Sequence, residues 1–180
     1  MLFIKMAKWK RRMEYAMRFP VHAACKKNDV KKLRALLKTE YATNINTKDS
    51  RRGMTPFWHA VLRGYVEIAE IIIAECEKKE VDIVNECCFG DYPFLHLVCG
   101  KYNLEMVKLF VKKGADVHVK YEDRTLLHSA CFTKYLELVK YLVSLGIDIH
   151  ALDQDGHTAF DIACIYNYPE IVEYLAQFKL

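Results

Sequence analysis

Long apolar runs are missing from this 180-residue chain. Its most hydrophobic stretch, Ile68 to Ala74, is interrupted by Glu70 and falls far short of the roughly 18 uncharged residues a membrane-spanning helix needs. Four prolines, seven glycines and three serines are too few to build a flexible linker or a low-complexity segment, so one continuous folded unit is expected. There is no G-x-S-x-G elbow, no glycine-rich phosphate loop closing on Gly-Lys-Ser/Thr, and no H-E-x-x-H pair. The expectation is a protein that is not an enzyme and uses neither a cofactor nor a small-molecule substrate. Met1 to Ala7 is too short for the apolar core of a secretory signal and runs directly into further charge.

What is present is a chain 52% hydrophobic and 28% charged, the balance of a globular protein. At this length folding buries about 70% of the unfolded surface, so stability requires neither a disulfide nor a metal. The net charge of +4 is unevenly placed. Residues 1–18 carry six basic side chains (Lys5, Lys8, Lys10, Arg11, Arg12, Arg18) against Glu14, a local +5, and the other 162 residues sum to −1. Electrostatic attraction to an anionic partner therefore belongs to the N-terminal segment, and the body offers nothing to nucleic acid. Seven cysteines, an odd number, fit a reduced compartment, cytoplasmic or nuclear. The adjacent Cys87 and Cys88 lack the two-residue gap of a zinc knuckle, and no second ligand pair is suitably spaced, so no metal is expected.

Internal repetition decides the architecture. Phe19-Pro20-Val21-His22-Ala23-Ala24 recurs as Thr55-Pro56-Phe57-Trp58-His59-Ala60 and as Tyr92-Pro93-Phe94-Leu95-His96-Leu97. Thr125-Leu126-Leu127-His128-Ser129-Ala130 and Thr158-Ala159-Phe160-Asp161-Ile162-Ala163 follow, at successive steps of 36, 37, 33 and 33 residues. Threonine suits the cap of a short helix and proline its first turn, so each segment marks a helix start. A second helix with apolar residues at helical spacing follows, as in Ile68, Ile71 and Ile72 or Leu138, Val139 and Leu142. Gly114 and Gly146 close two of these second helices.

These segments resemble the T-P-L-H-x-A signature of the ankyrin repeat, and the resemblance covers residues 19–178. It implies an all-α repeat solenoid, a stack of helix-turn-helix units with short β-hairpin loops. The five units are expected at 19–52, 53–89, 90–122, 123–155 and 156–180, with one extra residue around Tyr92 to His96 in the third. In the family the motif histidine ties neighbouring units together; His22 and His128 match it, whereas Trp58, Leu95 and Asp161 stand in its place elsewhere. Cys25, Cys131 and Cys164, with Cys99 nearby, are expected to share one small-residue core slot. His118 and His150 each follow an aspartate by two residues, which the repeat itself explains. Leu2, Met6, Trp9, Met13 and Met17 make one stripe of an amphipathic helix over residues 1–18, expected to cover the first repeat. On that reading a membrane-surface role for the helix is the weaker alternative, beside a nuclear one.

The resemblance further implies a protein-protein interaction module, an adaptor, scaffold or inhibitor. It would be a monomer binding a protein partner through a concave groove of hairpin tips and inner helices. Register places Arg51, Arg52, Met54, Leu62, Arg63, Phe89, Asp91 and Lys101 on that face, then Glu122, Arg124, Phe132, Thr133, Gln154, His157, Ile165 and Tyr166. Phe132 and Tyr166 stand out, because aromatics beside arginine are the usual composition of a binding hot spot. A stand-alone five-repeat chain also resembles the decoy inhibitors of NF-κB that pathogens encode.

Overall fold

A computed structural model describes residues 2–50, 53–88, 90–101 and 103–178. The chain divides into two compact units, Met1–Asp82 and Ile83–Leu180. Among the described residues every regular element is helical, and no helix is long and apolar enough to cross a membrane.

The first unit holds α1 (Leu2–Arg18), α2 (Pro20–Lys26), α3 (Val30–Leu36), a 3-10 turn at Glu40–Asn44, α4 (Pro56–Arg63) and α5 (Val66–Glu77). Helices α2 and α3 form one hairpin and α4 and α5 a second, with α4 packed on α2 and α5 on α3. Thr55 starts α4 as the motif predicts, its hydroxyl accepting from the Trp58 N–H at 3.1 Å ahead of Pro56. Gly64 stops the helix at φ 70°, a left-handed position that a Cβ would strain. Phe57, Ile68 and Ile72 are fully buried between the pairs.

The second unit holds α6 (Phe94–Cys99), α7 (Leu104–Lys112), α8 (Leu126–Cys131), α9 (Leu136–Ser144), α10 (Ala159–Ile165) and α11 (Pro169–Ala176). The inner helices α6, α8 and α10 stack in sequence, α7, α9 and α11 each pack on their own inner helix, and α11 also packs on α9. Leu95, Phe110, Leu126, Leu127 and Leu142 are almost wholly removed from water, so each pair's apolar face is covered by a neighbour.

Two sequence expectations need correction. The residue capping α6 is Pro93, not Tyr92. Pro93-Phe94-Leu95-His96 therefore aligns with Thr125-Leu126-Leu127-His128, the extra residue lies ahead of the helix, and His96 rather than Leu95 fills the histidine slot. The hairpin loops are short, as expected: among the described residues they contain the isolated antiparallel bridges of Cys87 with Pro93 and Tyr121 with Arg124. Of the four slot cysteines, Cys25, Cys99 and Cys131 are fully buried, and burial pushes their thiols up to about 12. Cys164 is exposed, because nothing among the described residues covers that side of α10.

The methionine stripe departs furthest. Helix α1 forms and packs on α2, but with a different face. Met6, Trp9, Met13 and Met17 are 62%, 65%, 44% and 68% exposed, whereas Tyr15 and Ala16 are half-buried. The cause is the short joint between the helices. The Phe19 N–H donates to the Tyr15 carbonyl at 2.8 Å, and the rings of Tyr15, Phe19 and His22 follow one another at 5.4 and 5.3 Å. Tyr15 also donates its hydroxyl to Asp49 Oδ2 at 2.8 Å. Fixing Tyr15 inward turns the stripe, almost diametrically opposite on the helix, outward.

Candidate protein-binding surface

Three histidine slots tie an inner helix to the loop that leads into the following one within the same compact unit. His22 Nε2 donates to the Met54 carbonyl, His96 Nε2 to that of Val119 and His128 Nε2 to that of His157, each at 3.1 Å. The other ring nitrogen of His128 accepts from the Thr125 N–H at 3.1 Å, which fixes the tautomer and completes a capping box with Thr125. In the last pair Asp161 takes this slot. Its Oδ2 accepts from the Thr158 N–H and hydroxyl at 2.9 and 2.6 Å, so the local cap is made and nothing is donated onward. Burial holds His22, His96 and His128 below the ordinary histidine value. His59 is driven down to about 4 by burial, then by Arg63 and His22, against the pull of Asp49 3.6 Å away. The rings of His22, His96 and His128 thus serve as hydrogen-bonded structural links. His118 and His150 are likewise explained locally, their N–H groups donating to Asp116 Oδ1 and Asp148 Oδ1 in two-residue turns at 2.8 and 2.9 Å.

In the second unit, side chains singled out by register converge. Phe132 and Tyr166 stand at the C-caps of α8 and α10, 38% and 49% exposed, edge to face with centroids 5.5 Å apart. Tyr166 in turn stacks on Tyr168 at 6.0 Å. The Arg124 guanidinium lies 5.6 Å from the centre of the Phe132 ring, and its nitrogens reach Asp153 Oδ2 at 3.7 Å and Asp155 Oδ2 at 3.8 Å. Asp153 is buried, and the N–H groups of His157 and Asp155 donate to its Oδ1 at 2.9 and 3.0 Å. Burial opposes its ionisation, yet those bonds and the nearby His128 and His157 hold its carboxyl below the usual range. Asp153, Asp155 and His157 are the one group of metal-ligand type among the described residues, and the cation facing its carboxylates is Arg124 itself. A cleft of about 170 Å³ opens beside this array, lined by Tyr92, His96, Gly100, Tyr121, Arg124, Ser129 and Phe132.

The remaining register positions divide. Asp91, Lys101, Glu122, Gln154 and Ile165 are exposed, and His157 is partly so. Two are not on any face: Met54 is 5% exposed, and Thr133 is 2% exposed with its hydroxyl donating to the Ala130 carbonyl. Leu62 is half-buried in the first unit, and Arg63 turns back to donate to the His59 carbonyl at 3.3 Å. Arg51, Arg52 and Phe89 lie outside the described residues. Register alone missed Tyr92, Tyr121 and Tyr168. Each sits one or two positions from a residue it did select, so a window two residues wider around each helix start and turn would have found them.

No curated protein matches the chain. The family model for ankyrin repeats (3 copies) matches residues 5–85, 77–153 and 95–179, which together span nearly all of the sequence. Ankyrin repeats are in general protein-protein interaction modules. The repeated capped helix pairs, the histidine links and this match agree, and the chain belongs to the ankyrin repeat family.

Proposed function

We propose that the protein is a non-enzymatic adaptor or inhibitor that captures a protein partner on the second unit, through the Arg124–Phe132–Tyr166 array and the cleft beside it. The observation that carries this reading is the array itself. Two aromatic rings and a guanidinium are assembled on one face and held there by Asp153 and Asp155, yet both rings remain substantially exposed. An exposed, pre-ordered aromatic pair loses little rotamer freedom on binding, which is what makes such residues anchors in protein interfaces. The acidic groups beside Arg124 favour a partner segment with an apolar anchor for the rings and a basic or hydroxyl group at the rim.

Affinity capture with the wild-type chain, followed by titration of the captured protein against the Phe132→Ser/Tyr166→Ser double variant, tests the reading. Loss of two anchors predicts at least about a hundredfold weaker binding. Helical circular dichroism should be unchanged, because neither ring is part of the core. Undiminished affinity would place the partner elsewhere.

A further inference from the structure

The exposed stripe of α1 has a chemistry of its own. Met6, Trp9, Met13 and Met17 fall within about 80° of helix circumference, a continuous apolar strip with a tryptophan in its first half. Exposed Lys10 borders one edge. The other edge passes through Ala16 to Arg12, at the rim of a cleft of about 190 Å³ lined also by Tyr15, Ala23, Lys26, Lys27 and Arg63. Four of the seven residues lining that cleft are basic and none is acidic. The apolar strip is thus flanked by cationic side chains, in a segment whose net charge is +5.

We propose that this face is a docking surface for an anionic membrane, lying in the headgroup layer with Trp9 and the methionines at the acyl boundary and the flanking cations on lipid phosphates and carboxylates. Charge complementarity selects a lipid surface over a second copy of the chain, since apposing two such faces would bring +5 against +5. Geometry selects it over an acidic protein groove that encloses a helix. The opposite side of α1 is held by the Tyr15–Asp49 bond and the Tyr15–Phe19–His22 rings, so only one side is offered. A flat surface needs only one side. The affinity expected of one short helix is modest and dependent on salt.

The test is co-sedimentation of the full chain with phosphatidylcholine vesicles, with and without phosphatidylserine, alongside tryptophan emission. Trp58 is buried, so a blue shift reports Trp9. The expected result is binding and a blue shift with phosphatidylserine vesicles alone. About 1 kcal/mol per basic residue predicts a loss of at least about thirtyfold for Lys10→Glu/Arg12→Glu. Met13→Ser/Met17→Ser should lower partitioning at least tenfold with helicity retained, by roughly the transfer free energy of the two side chains. Several results would overturn the proposal: no vesicle binding, equal binding to both vesicle types, or partitioning indifferent to the methionine variant. So would a lipid-free dimer that the methionine variant dissolves, or binding to an acidic soluble protein without binding to vesicles. None of these bears on the Phe132 and Tyr166 array, which belongs to the other unit.

Discussion

His128 performs two tasks with one ring, accepting from Thr125 to cap its own helix and donating to His157 to hold the next repeat. Asp161 in the equivalent slot also caps its own helix, but as a carboxylate it has no proton to donate onward. His128→Ala should therefore cost about 2–4 kcal/mol, a lost cap plus a partly buried carbonyl deprived of its donor, and Asp161→Ala only about 1 kcal/mol. Urea denaturation of the two variants checks the ordering; equal costs would contradict it. The same histidines set a pH dependence. Burial holds His22, His59, His96 and His128 below the usual histidine value, so as pH falls through about 6.5 the unfolded chain binds protons that the folded chain does not. Stability is then fully present above that pH and declines below it, and the His59 contribution goes on falling until about 4. A urea midpoint that drops between about pH 7.5 and pH 5 is the expected result, and a constant midpoint would remove these links from the account. Much of this was legible residue by residue, since threonine, proline and histidine each announce a specific bond. His96 was not, because a single extra loop residue displaced the motif by one position. Nor was the burial of Met54, because the residue before a helix start can face either way and only the turn geometry decides.

Among the elements, the turn before α8 is the most constrained. Tyr121 and Arg124 exchange N–H···O=C bonds at 3.1 and 3.0 Å around Glu122 and Asp123, whose φ values are 51° and 58°. Two consecutive left-handed positions are what a two-residue hairpin turn requires, and Asn-Gly satisfies them with far less strain than Glu-Asp. Replacing Glu122-Asp123 by Asn-Gly should stabilise the protein by about 1 kcal/mol while leaving Arg124 over Phe132. An unchanged or lower melting temperature would argue that the strain is relieved elsewhere. Helix α1 shows the limit of periodicity. The spacing of Met6, Trp9, Met13 and Met17 fixes that they share a face, but not whether that face is covered. Rotation about the helix axis is set by the one-residue joint at Phe19 and by Tyr15 reaching Asp49, a contact 34 positions away in sequence.

For the molecule as a whole, chemistry and charge are segregated. The N-terminal helix carries the positive excess and an uncovered apolar strip, and the repeats carry near-neutral surfaces whose side chains are mostly committed to caps, links and core. What assembles on the second unit's exposed face is an arginine and a run of rings. Repetition made the architecture readable, because five copies of one motif mark the same kind of helix start. The candidate surface was readable only in part, because a binding face is built from the positions the repeat leaves unspecified. The most direct measurement is the affinity of the captured partner for the wild-type chain and for the Phe132→Ser/Tyr166→Ser variant at matched helicity. The account predicts a loss of about a hundredfold or more with no change in melting temperature; equal affinities would contradict it.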